Sequence, residues 1–244
     1  KMLQALKWVV GMQNADGSWG AFDIGNNAAY LNNIPFADHG ALIDPGTADV
    51  TARSVELLCM LGYSKHNEIV KNALNFLKAD QESDGSWYGR WGVNYLYGTW
   101  SVLSALGAAR EDPAQPYIRK AIKWLKTNQN IDGGWGESCD SYEEKNLSAE
   151  GESTASQTAW AMLGLIAVGE GLSPEVERGA AFLEETQSVD GDWEESEYTG
   201  TGFPKVFYLR YHGYAKYFPV WALAAYRREL AGLQSRQKEI MADG

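Results

Sequence analysis

The sequence predicts an all-α protein, an α/α toroid in which inner and outer antiparallel helices alternate around a shared axis. Three observations predict it in this chain of 244 residues. A motif with Gln and Trp recurs four times, helical stretches of a second kind lie between the copies, and 12% of the residues are aromatic. Repeated helix pairs that stack side by side are the usual form of helical repeat proteins.

The motif defines the first kind of helix. Its four copies align without gaps over Ala5–Trp19, Ala73–Trp87, Ala121–Trp135 and Gly179–Trp193. Each begins with apolar residues at helical spacing and ends in Gln-x-x-Asp-Gly-x-Trp, where Asp-Gly is typical of a turn. A Gln amide can bond backbone groups across such a turn, and an indole can pack on neighbouring backbone. We therefore expect a clasp between adjacent helices from Gln13 and Trp19, Gln81 and Trp87, Gln129 and Trp135, and Gln187 and Trp193.

The second kind of helix lies between the clasps and is more apolar and richer in small residues. The predicted members are Asp49–Leu61, Tyr97–Ala109, Ser156–Val168 and Phe218–Arg228. Amphipathic helices alternating with nearly all-apolar ones indicate an outer and an inner layer. The remaining long segments are predicted to be loops that carry function: Ala21–Gly46, Cys139–Thr154 and Glu195–Tyr214.

Composition and charge exclude several function classes. A formal net charge of −11 argues against nucleic acid as a partner. Cys59 and Cys139 have neither metal-ligand spacing nor a disulfide pattern, which favours a reducing compartment. His39, His66 and His212 are far apart, so we expect no metal site and no catalytic dyad. No apolar run reaches the roughly 20 residues of a membrane span.

Several segments carry a resemblance to a known family. They are Pro35-Phe-Ala-Asp-His-Gly40, Asp49-Val-Thr-Ala-Arg53, Gly89-Arg-Trp-Gly-Val-Asn-Tyr-Leu-Tyr-Gly-Thr99, Ser156-Gln-Thr-Ala-Trp160 and Tyr198-Thr-Gly-Thr-Gly-Phe-Pro204. Together with the clasps, they resemble bacterial squalene–hopene cyclases from Ala5 to about Tyr226. The resemblance implies that residues 1–231 are the C-terminal α/α-barrel domain of a terpenoid cyclase, truncated at its N-terminal side, and that residues 232–244 form a tail.

The activity implied by the resemblance is the cyclisation of squalene to hopene or hopanol without a cofactor. In the family, an Asp-x-Asp-Asp acid starts the reaction by protonating squalene, and this chain contains no such motif. The chain also opens at Lys1 inside a helical pattern, without an initiator Met. We therefore expect a fragment that is inactive alone and that pairs with a missing N-terminal part of the same protein.

The chemistry of a carbocation explains the need for aromatic side chains. Such a cation reacts with any nucleophile, so its site must be dry, apolar and electron-rich, and aromatic faces meet all three needs. By resemblance, Phe203 and Phe207 would stabilise the cations, with Tyr211 and Tyr214 beside them, and Phe22 and Trp91 would line the cavity. The alternative for all six is ordinary core packing.

A second group of residues would support the missing acid. Asp49 and Arg53 are one helical turn apart, in an orientation that favours an ion pair, and Thr47 is a predicted N-cap. By resemblance this helix start faces the acid, where the Arg53 charge would stabilise the conjugate base, and Tyr97 would reach the acid through water. The alternative is a surface pair worth less than about 1 kcal/mol.

The remaining implied features concern access and surroundings. Phe36 and Ala37 match a narrow gate before the cavity, although a packed loop would explain them too. The acidic segment around Asp140 and Glu143 is predicted to be a solvated loop. Because squalene is nearly insoluble in water, the resemblance implies a peripheral, monotopic enzyme on the cytoplasmic face of the bacterial membrane, with a homodimer as one possible assembly.

Three alternative functions stay open. A protein prenyltransferase β-subunit has a similar toroid, but it needs an Asp/Cys/His zinc site, and Cys139 and Asp140 have no suitably spaced His. A non-catalytic α/α-toroid binding module would leave the aromatic loops unexplained. A cyclase that makes another polyprenyl product, such as tetrahymanol-like or sporulene-like rings, has the same sequence features.

Overall fold

The secondary structure follows the predicted alternation of helices. A computed structural model describes residues 1–34 and 42–242. Its helices are α1 (Met2–Gly11), α2 (Ala48–Met60), α3 (Glu68–Ala79), α4 (Tyr95–Ala108), α5 (Pro116–Thr127), α6 (Ala155–Ala167), α7 (Pro174–Thr186) and α8 (Tyr214–Ala242). Two short strands, β1 (Gly200–Phe203) and β2 (Phe207–Leu209), lie between α7 and α8.

The helices form two layers, as predicted. Helix α2 packs against α4, α4 against α6 and α6 against α8, which makes an inner layer, while α3, α5 and α7 lie outside it. Helices α4 and α6 are buried on nearly every side, whereas α5 buries a single face. The apolar composition of the inner stretches therefore reflects their position between neighbours.

Local signals set the starts of several helices. Pro116 and Pro174 stand at the first positions of α5 and α7, where the missing N–H costs no helical hydrogen bond. The side chain of Asn67 caps α3 by accepting from the N–H of Ile69 at 3.0 Å. Thr154 caps α6 by accepting from the N–H of Gln157.

The Gln–Trp clasps join the outer helices. Each Trp is buried, and its Nε1 donates to the carbonyl ten residues earlier, at 2.7 or 2.8 Å. Each Gln Nε2 donates to the Gly carbonyl of its own turn. Three of the Gln side chains also reach the start of the next outer helix: Gln13 to the carbonyl of Ile69 at 2.9 Å, Gln81 to that of Tyr117 at 2.8 Å and Gln129 to that of Glu175 at 2.8 Å.

Two parts of the predicted architecture differ from the observed one. The loop Glu195–Tyr214 contains an antiparallel hairpin, in which Gly200 pairs with Leu209 and Thr201 with Tyr208. Gly202 makes the hairpin possible, because a Cβ there would lie 2.1 Å from the Phe207 ring. Helix α8 is longer than the predicted inner stretch Phe218–Arg228 and spans Tyr214–Ala242.

Among the described residues, no helix combines the length and the apolar character that crossing a bilayer requires.

Candidate active site

Five of the predicted site residues line one cavity. It has a volume of about 380 Å³ and is formed by Ala21, Phe22, Asp49, Val50, Arg53, Trp91 and Tyr97. The lining comes from the segment after the first clasp, the start of α2, the segment after the second clasp and the first turn of α4. The fold therefore brings together Phe22, Asp49, Arg53, Trp91 and Tyr97, which are distant in sequence.

Asp49 is the buried carboxylate of this cavity, with 1% of its surface exposed. Its Oδ1 accepts hydrogen bonds from the Thr47 hydroxyl at 2.5 Å and the Val50 N–H at 2.9 Å, and its Oδ2 accepts from the Trp91 N–H at 2.8 Å. Burial raises the pKa of the Asp49 carboxyl above its ordinary value, although these hydrogen bonds act in the opposite direction. Asp49 thus ties the start of α2 to the segment that carries Trp91.

The structure corrects two details predicted for this helix start. Thr47 occupies the N-cap position of α2, but its hydroxyl donates to Asp49 and makes no cap hydrogen bond. The surface pair of Asp49 and Arg53, which was the alternative to a role in supporting the acid, does not form, because Asp49 is buried and engaged by its own donors. The Arg53 guanidinium binds Glu56 at 2.7 Å instead.

Arg53 is further held by an indole. Its guanidinium carbon lies 3.7 Å from the centre of the Trp100 ring, and its Nη2 lies 3.4 Å from the Ser101 hydroxyl. The phenol of Tyr97 also contacts the guanidinium. Burial, aided by the charge of Asp49, raises the pKa of the Tyr97 phenol, while Arg53 acts in the opposite direction. A fixed positive charge therefore faces the cavity beside Tyr97.

A second arginine connects the cavity to the β-hairpin. Phe22 and Trp91 meet edge to face with ring centres 5.8 Å apart. The Arg90 guanidinium lies 4.2 Å from the centre of the Trp91 ring and 5.3 Å from that of Phe203, and Phe203 meets Phe207 at 5.7 Å. Phe203 and Phe207 thus lie beside the cavity lining without forming part of it.

A continuous set of aromatic rings extends from the cavity along the inner helices. We name it the aromatic wall, and its members are Tyr97, Trp100, Trp160, Tyr211, Tyr214, Phe218 and Trp221. Ring centres are 5.1 Å apart between Tyr97 and Trp160, 5.7 Å between Trp160 and Tyr214, and 4.8 Å between Tyr214 and Tyr211. The wall connects Tyr214 and Tyr211 to Tyr97 through Trp160, although neither Tyr211 nor Tyr214 lines the cavity.

Four members of the wall were not among the predicted site residues: Trp100, Trp160, Phe218 and Trp221. Trp100 and Trp160 stack with ring planes 6° apart, and both indoles are almost fully buried. Their Nε1 atoms have no hydrogen-bond partner. The sequence signal that could have found them is the presence of large aromatic rings in the helices that are otherwise richest in small residues.

Buried carboxylates after the clasps position the inner helices. Glu137, two residues after Trp135, is 3% exposed and accepts from the N–H groups of Asn94, Tyr95 and Leu96 at 2.8 to 3.2 Å. It thereby holds the first turn of α4, which carries Tyr97. Glu195 likewise accepts from the N–H and hydroxyl of Ser156 at the start of α6. Sequence reasoning missed both, although each stands two residues after a clasp Trp.

Other predicted features lie elsewhere. Phe36 and Ala37 lie outside the described residues. The acidic segment is only partly the solvated loop predicted: Asp140 is exposed and Glu143 pairs with Lys205 at the surface, with N and O atoms 3.4 Å apart, but Ser141 and Tyr142 between them are buried. In the described part of the chain, no cluster of three or more His, Cys, Asp or Glu residues is placed to hold a metal ion. A larger cavity of about 570 Å³ beside Tyr211 is lined mainly by charged and polar groups, which suits a hydrocarbon poorly.

The chain is similar in sequence to one family throughout. A family model for the squalene–hopene cyclase C-terminal domain matches residues 1–228. The squalene–hopene cyclase of Zymomonas mobilis is 57% identical over 92% of this chain and 34% of its own length. That of Alicyclobacillus acidocaldarius is 48% identical over 94% of this chain and 36% of its own length. The dammaradiene synthase of Dryopteris crassirhizoma is 42% identical over 93% of this chain and 36% of its own length. This chain therefore spans about a third of the length of these relatives.

Solved structures with the same fold are more distant in sequence. A type II terpene cyclase from Scytonema, solved with the product merosterolic acid A, superposes with a TM-score of 0.64 at 19% identity, covering 91% of this chain and 65% of that one. A protein from Actinoplanes superposes with a TM-score of 0.65 at 16% identity, covering 91% and 68%. At these identities the likeness supports the α/α toroid alone.

Proposed function

The chain belongs to the family of squalene–hopene cyclase C-terminal domains, and from this premise we propose that it forms one side of the cavity in which a longer parent protein cyclises squalene to hopene or hopanol. The parent protein is the polypeptide of which we propose residues 1–231 are the C-terminal domain, with residues 232–244 as its tail. The observation that carries the proposal is the aromatic wall, which begins at Tyr97 in the cavity and continues to Tyr211.

The wall suits a carbocation for electrostatic reasons. Each ring face carries partial negative charge, and a cation above it gains roughly 0.5–2 kcal/mol, with the larger values where water is absent. Ring faces that border the polyene would stabilise positive charge at successive places along it. Trp100 and Trp160 are almost fully buried and stacked on each other, so they would support the other rings of the wall from behind. Phe203, Phe207, Trp91 and Phe22 would extend this surface from the cavity toward the hairpin.

The polar end of the cavity would serve the initiating acid. In the proposed parent protein, the donor carboxyl lies outside this chain and approaches Asp49, Arg53 and Tyr97. The Arg53 charge, held by Glu56 and Trp100, would stabilise the carboxylate left after proton transfer. Asp49 and Tyr97 would fix the orientation of the donor and its water. Phe36 and Ala37 remain our proposal for the gate through which the polyene enters.

A cyclase with another product is the second candidate. It is favoured by the relative named dammaradiene synthase, which is 42% identical to this chain. Product choice depends on where the final cation loses a proton or meets water. The two candidates therefore differ in the products of one assay.

The test is incubation of the parent protein with squalene in detergent, followed by gas chromatography and mass spectrometry of the extracted lipids. Pentacyclic hopene or hopanol is the expected result. Other cyclic triterpenes would establish the second candidate, and recovery of unchanged squalene alone would contradict both.

A substitution tests the role of the aromatic surface. Phe203→Leu keeps an apolar side chain and removes the ring face, so we expect products with fewer rings to accumulate. The matched control is Phe182→Leu in the outer helix α7, where Phe182 is buried in the core and distant from the cavity lining. An unchanged product distribution for Phe203→Leu would assign Phe203 to core packing.

We also propose that the parent protein attaches peripherally to the cytoplasmic face of the bacterial membrane, from which it takes squalene. In support, α8 exposes Tyr217, Val220 and Trp221, which are 72%, 56% and 43% exposed. Co-sedimentation of the parent protein with liposomes tests this attachment, and light scattering of the detergent-solubilised protein tests a homodimer.

A further inference from the structure

The fourth clasp differs from the other three in what it holds. Gln13, Gln81 and Gln129 each donate to the carbonyl of the second residue of the next outer helix, in α3, α5 and α7. The Gln187 Nε2 donates within its own turn, to the carbonyl of Gly191 at 2.9 Å. Gln187 is exposed, whereas the other three Gln side chains are partly buried.

The glycines of the four turns show the same difference. Gly17, Gly85, Gly133 and Gly191 all have positive φ, between 80° and 107°, so the four turns share one backbone form. A Cβ on Gly17 would lie 2.4 Å from the carbonyl oxygen of Asn72, and one on Gly133 would lie 2.7 Å from that of Arg178. These are the fifth residues of α3 and α7. A Cβ on Gly191 would approach only Gln187, at 3.9 Å.

At the second and third clasps, the residue three before Gln adds a side-chain contact to the second residue of the next outer helix. The Lys78 ammonium lies 5.5 Å from the centre of the Tyr117 ring, and the Lys126 ammonium lies 3.3 Å from a carboxylate oxygen of Glu175. Tyr117 and Glu175 are the second residues of α5 and α7. At the fourth clasp the equivalent residue is Glu184, which is exposed.

We propose that the fourth clasp binds the first turn of a further outer helix, contributed by the part of the parent protein that lies outside this chain. The carbonyl of that helix's second residue accepts the free N–H of Gln187, and the backbone of its fifth residue lies on Gly191. The acidic side chain of Glu184 favours a basic second residue, the reverse of the Lys126–Glu175 pair. The proposal rests on the existence of the parent protein, which the length of the relatives supports, since about two thirds of each lies outside the matched region.

A second copy of this chain is the competing occupant. Its α1 is the outer helix whose start no described clasp holds, so α1 of one copy would occupy the fourth clasp of another. Such a head-to-tail contact repeats without closing unless the rotation between copies forms a ring, and it would produce filaments or rings. A helix from the same polypeptide fills the clasp without that consequence.

A photo-crosslink identifies the occupant. A diazirine amino acid of about the length of glutamine is placed at position 187 of the parent protein, and in a separate variant at position 129, and crosslinked peptides are sequenced after irradiation. The position 129 variant is the control and should capture the first turn of α7. We expect position 187 to capture a peptide of the same polypeptide from outside residues 1–244. Crosslinks between two polypeptides, crosslinks confined to residues 1–244, or no capture at 187 while 129 captures α7 would each overturn the proposal.

A pair of matched substitutions tests the close approach. Gly133→Ala and Gly191→Ala impose the same backbone strain, because φ is 90° and 80° at the two positions. If the fourth clasp is filled, both substitutions should lower the Tm of the parent protein by several degrees, and the two decreases should be similar. A clearly smaller shift for Gly191→Ala means an empty clasp and overturns the proposal. Neither readout depends on squalene turnover, so this proposal and the proposed function can fail separately.

Discussion

Two buried carboxylates decide how the residues of the candidate site are held. Asp49 and Glu137 are each almost fully buried, and each accepts hydrogen bonds from backbone N–H groups of segments distant in sequence. Asp49 joins α2 to the Trp91 segment, and Glu137 holds the start of α4. The geometry of the cavity thus depends on carboxylates whose burial is itself unfavourable to their charged form.

Glu137→Gln should destabilise the protein in a pH-dependent way. The amide places an NH2 group, which cannot accept, where the carboxyl has its second oxygen, so an N–H of α4 loses its partner at a cost of roughly 1–3 kcal/mol. Burial raises the pKa of Glu137 above its ordinary value of 4.5. Ionisation therefore opposes folding, and the stability tied to the protonated form is lost as pH rises from about 4.5 through the raised pKa. The deficit of the variant should be largest near pH 4.5 and should shrink at higher pH.

Urea unfolding at several pH values measures this deficit. Glu143→Gln is the matched control, because Glu143 is a surface residue of the same segment with a 57% exposed side chain, and it should stay within about 0.5 kcal/mol of the original protein. A deficit that grows with pH would show that the ionised form of Glu137 is the stabilising one.

The contact between Arg53 and Trp100 should appear as a coupling energy. For a guanidinium over an indole at a partly exposed site, we expect about 0.5–1 kcal/mol. The measurement is a double-mutant cycle of Arg53→Met and Trp100→Leu, followed by chemical unfolding, because the cycle cancels the cavity left by the smaller side chain. If the effects of the two substitutions are additive, the coupling energy is zero, and Trp100 supports Arg53 only by packing.

Sequence reasoning found site residues where a motif carried them and missed those identified by contact alone. Asp49, Arg53, Trp91 and Tyr97 stand in strings with a family resemblance, and they share one cavity. Trp100 lies outside those strings, and its place in the wall depends on the crossing of α4, α6 and α8. The expected contact between Asp49 and Arg53 is absent for a related reason: Asp49 binds the Trp91 segment, while Arg53 binds Glu56 in its own helix and packs on Trp100.

At the scale of elements, the clasp is the unit that repeats in three dimensions. Besides the Gln and Trp contacts, the backbone N–H of three clasp Trp residues donates to an inner-helix threonine: Trp19 to Thr51, Trp87 to Thr99 and Trp135 to Thr158. These bonds connect the outer layer to the inner one. The clasp therefore fixes three helices at once, two outer and one inner.

Thr158→Val should destabilise the protein strongly for so small a change. The two side chains have the same shape, but valine leaves the buried N–H of Trp135 without the acceptor that lies 2.9 Å away. An unpaired buried donor costs roughly 1–3 kcal/mol. Thermal unfolding measures the loss, and Thr127→Val at the exposed end of α5 is the control. Equal Tm values for the two variants would contradict the role of the clasp threonine.

Helix positions could be predicted from the sequence because periodicity and composition are local properties. The inner helices α2, α4 and α6 begin and end within two residues of their predicted bounds, while the outer helices start three to five residues before their repeat windows. The hairpin β1–β2 was missed because its strands are short and pair mainly with each other and with the Trp91 segment. Its formation depends on the close fit of Gly200 and Gly202 against aromatic rings, which pattern alone does not reveal.

The described helix pairs follow one another in an arc, and the two ends of this arc differ. One end is α1, in which no residue is fully buried, and the other is the fourth clasp with α8. The inner layer joins these ends through α4 and α6, which are buried on nearly every side. The sequence predicted the two layers and an incomplete toroid, but it could not predict which surfaces the ends expose, since that depends on how the pairs stack.

Removal of residues 232–244 should leave the stability of the parent protein unchanged. Among the residues up to 235, whose burial the structure describes, the last buried one is Ala225, and Leu233, Gln234 and Ser235 of α8 are exposed. A helix end with little buried surface contributes little to cooperative unfolding. We expect a Tm within about one degree of the original, measured by calorimetry. A loss of several degrees would place the tail within the folded domain.

The clasps bind backbone carbonyls, and this affects how the two connected helices can diverge in evolution. The accepting residues are Ile69, Tyr117 and Glu175, an aliphatic, an aromatic and an acidic side chain. Because the Gln side chain binds a carbonyl, this hydrogen bond imposes no coordinated substitution on the two helices, and only the side-chain pairs beside it, such as Lys126 with Glu175, do so. Gene duplication can therefore add or exchange a helix pair while the clasp keeps working, and the facing helices remain free to diverge.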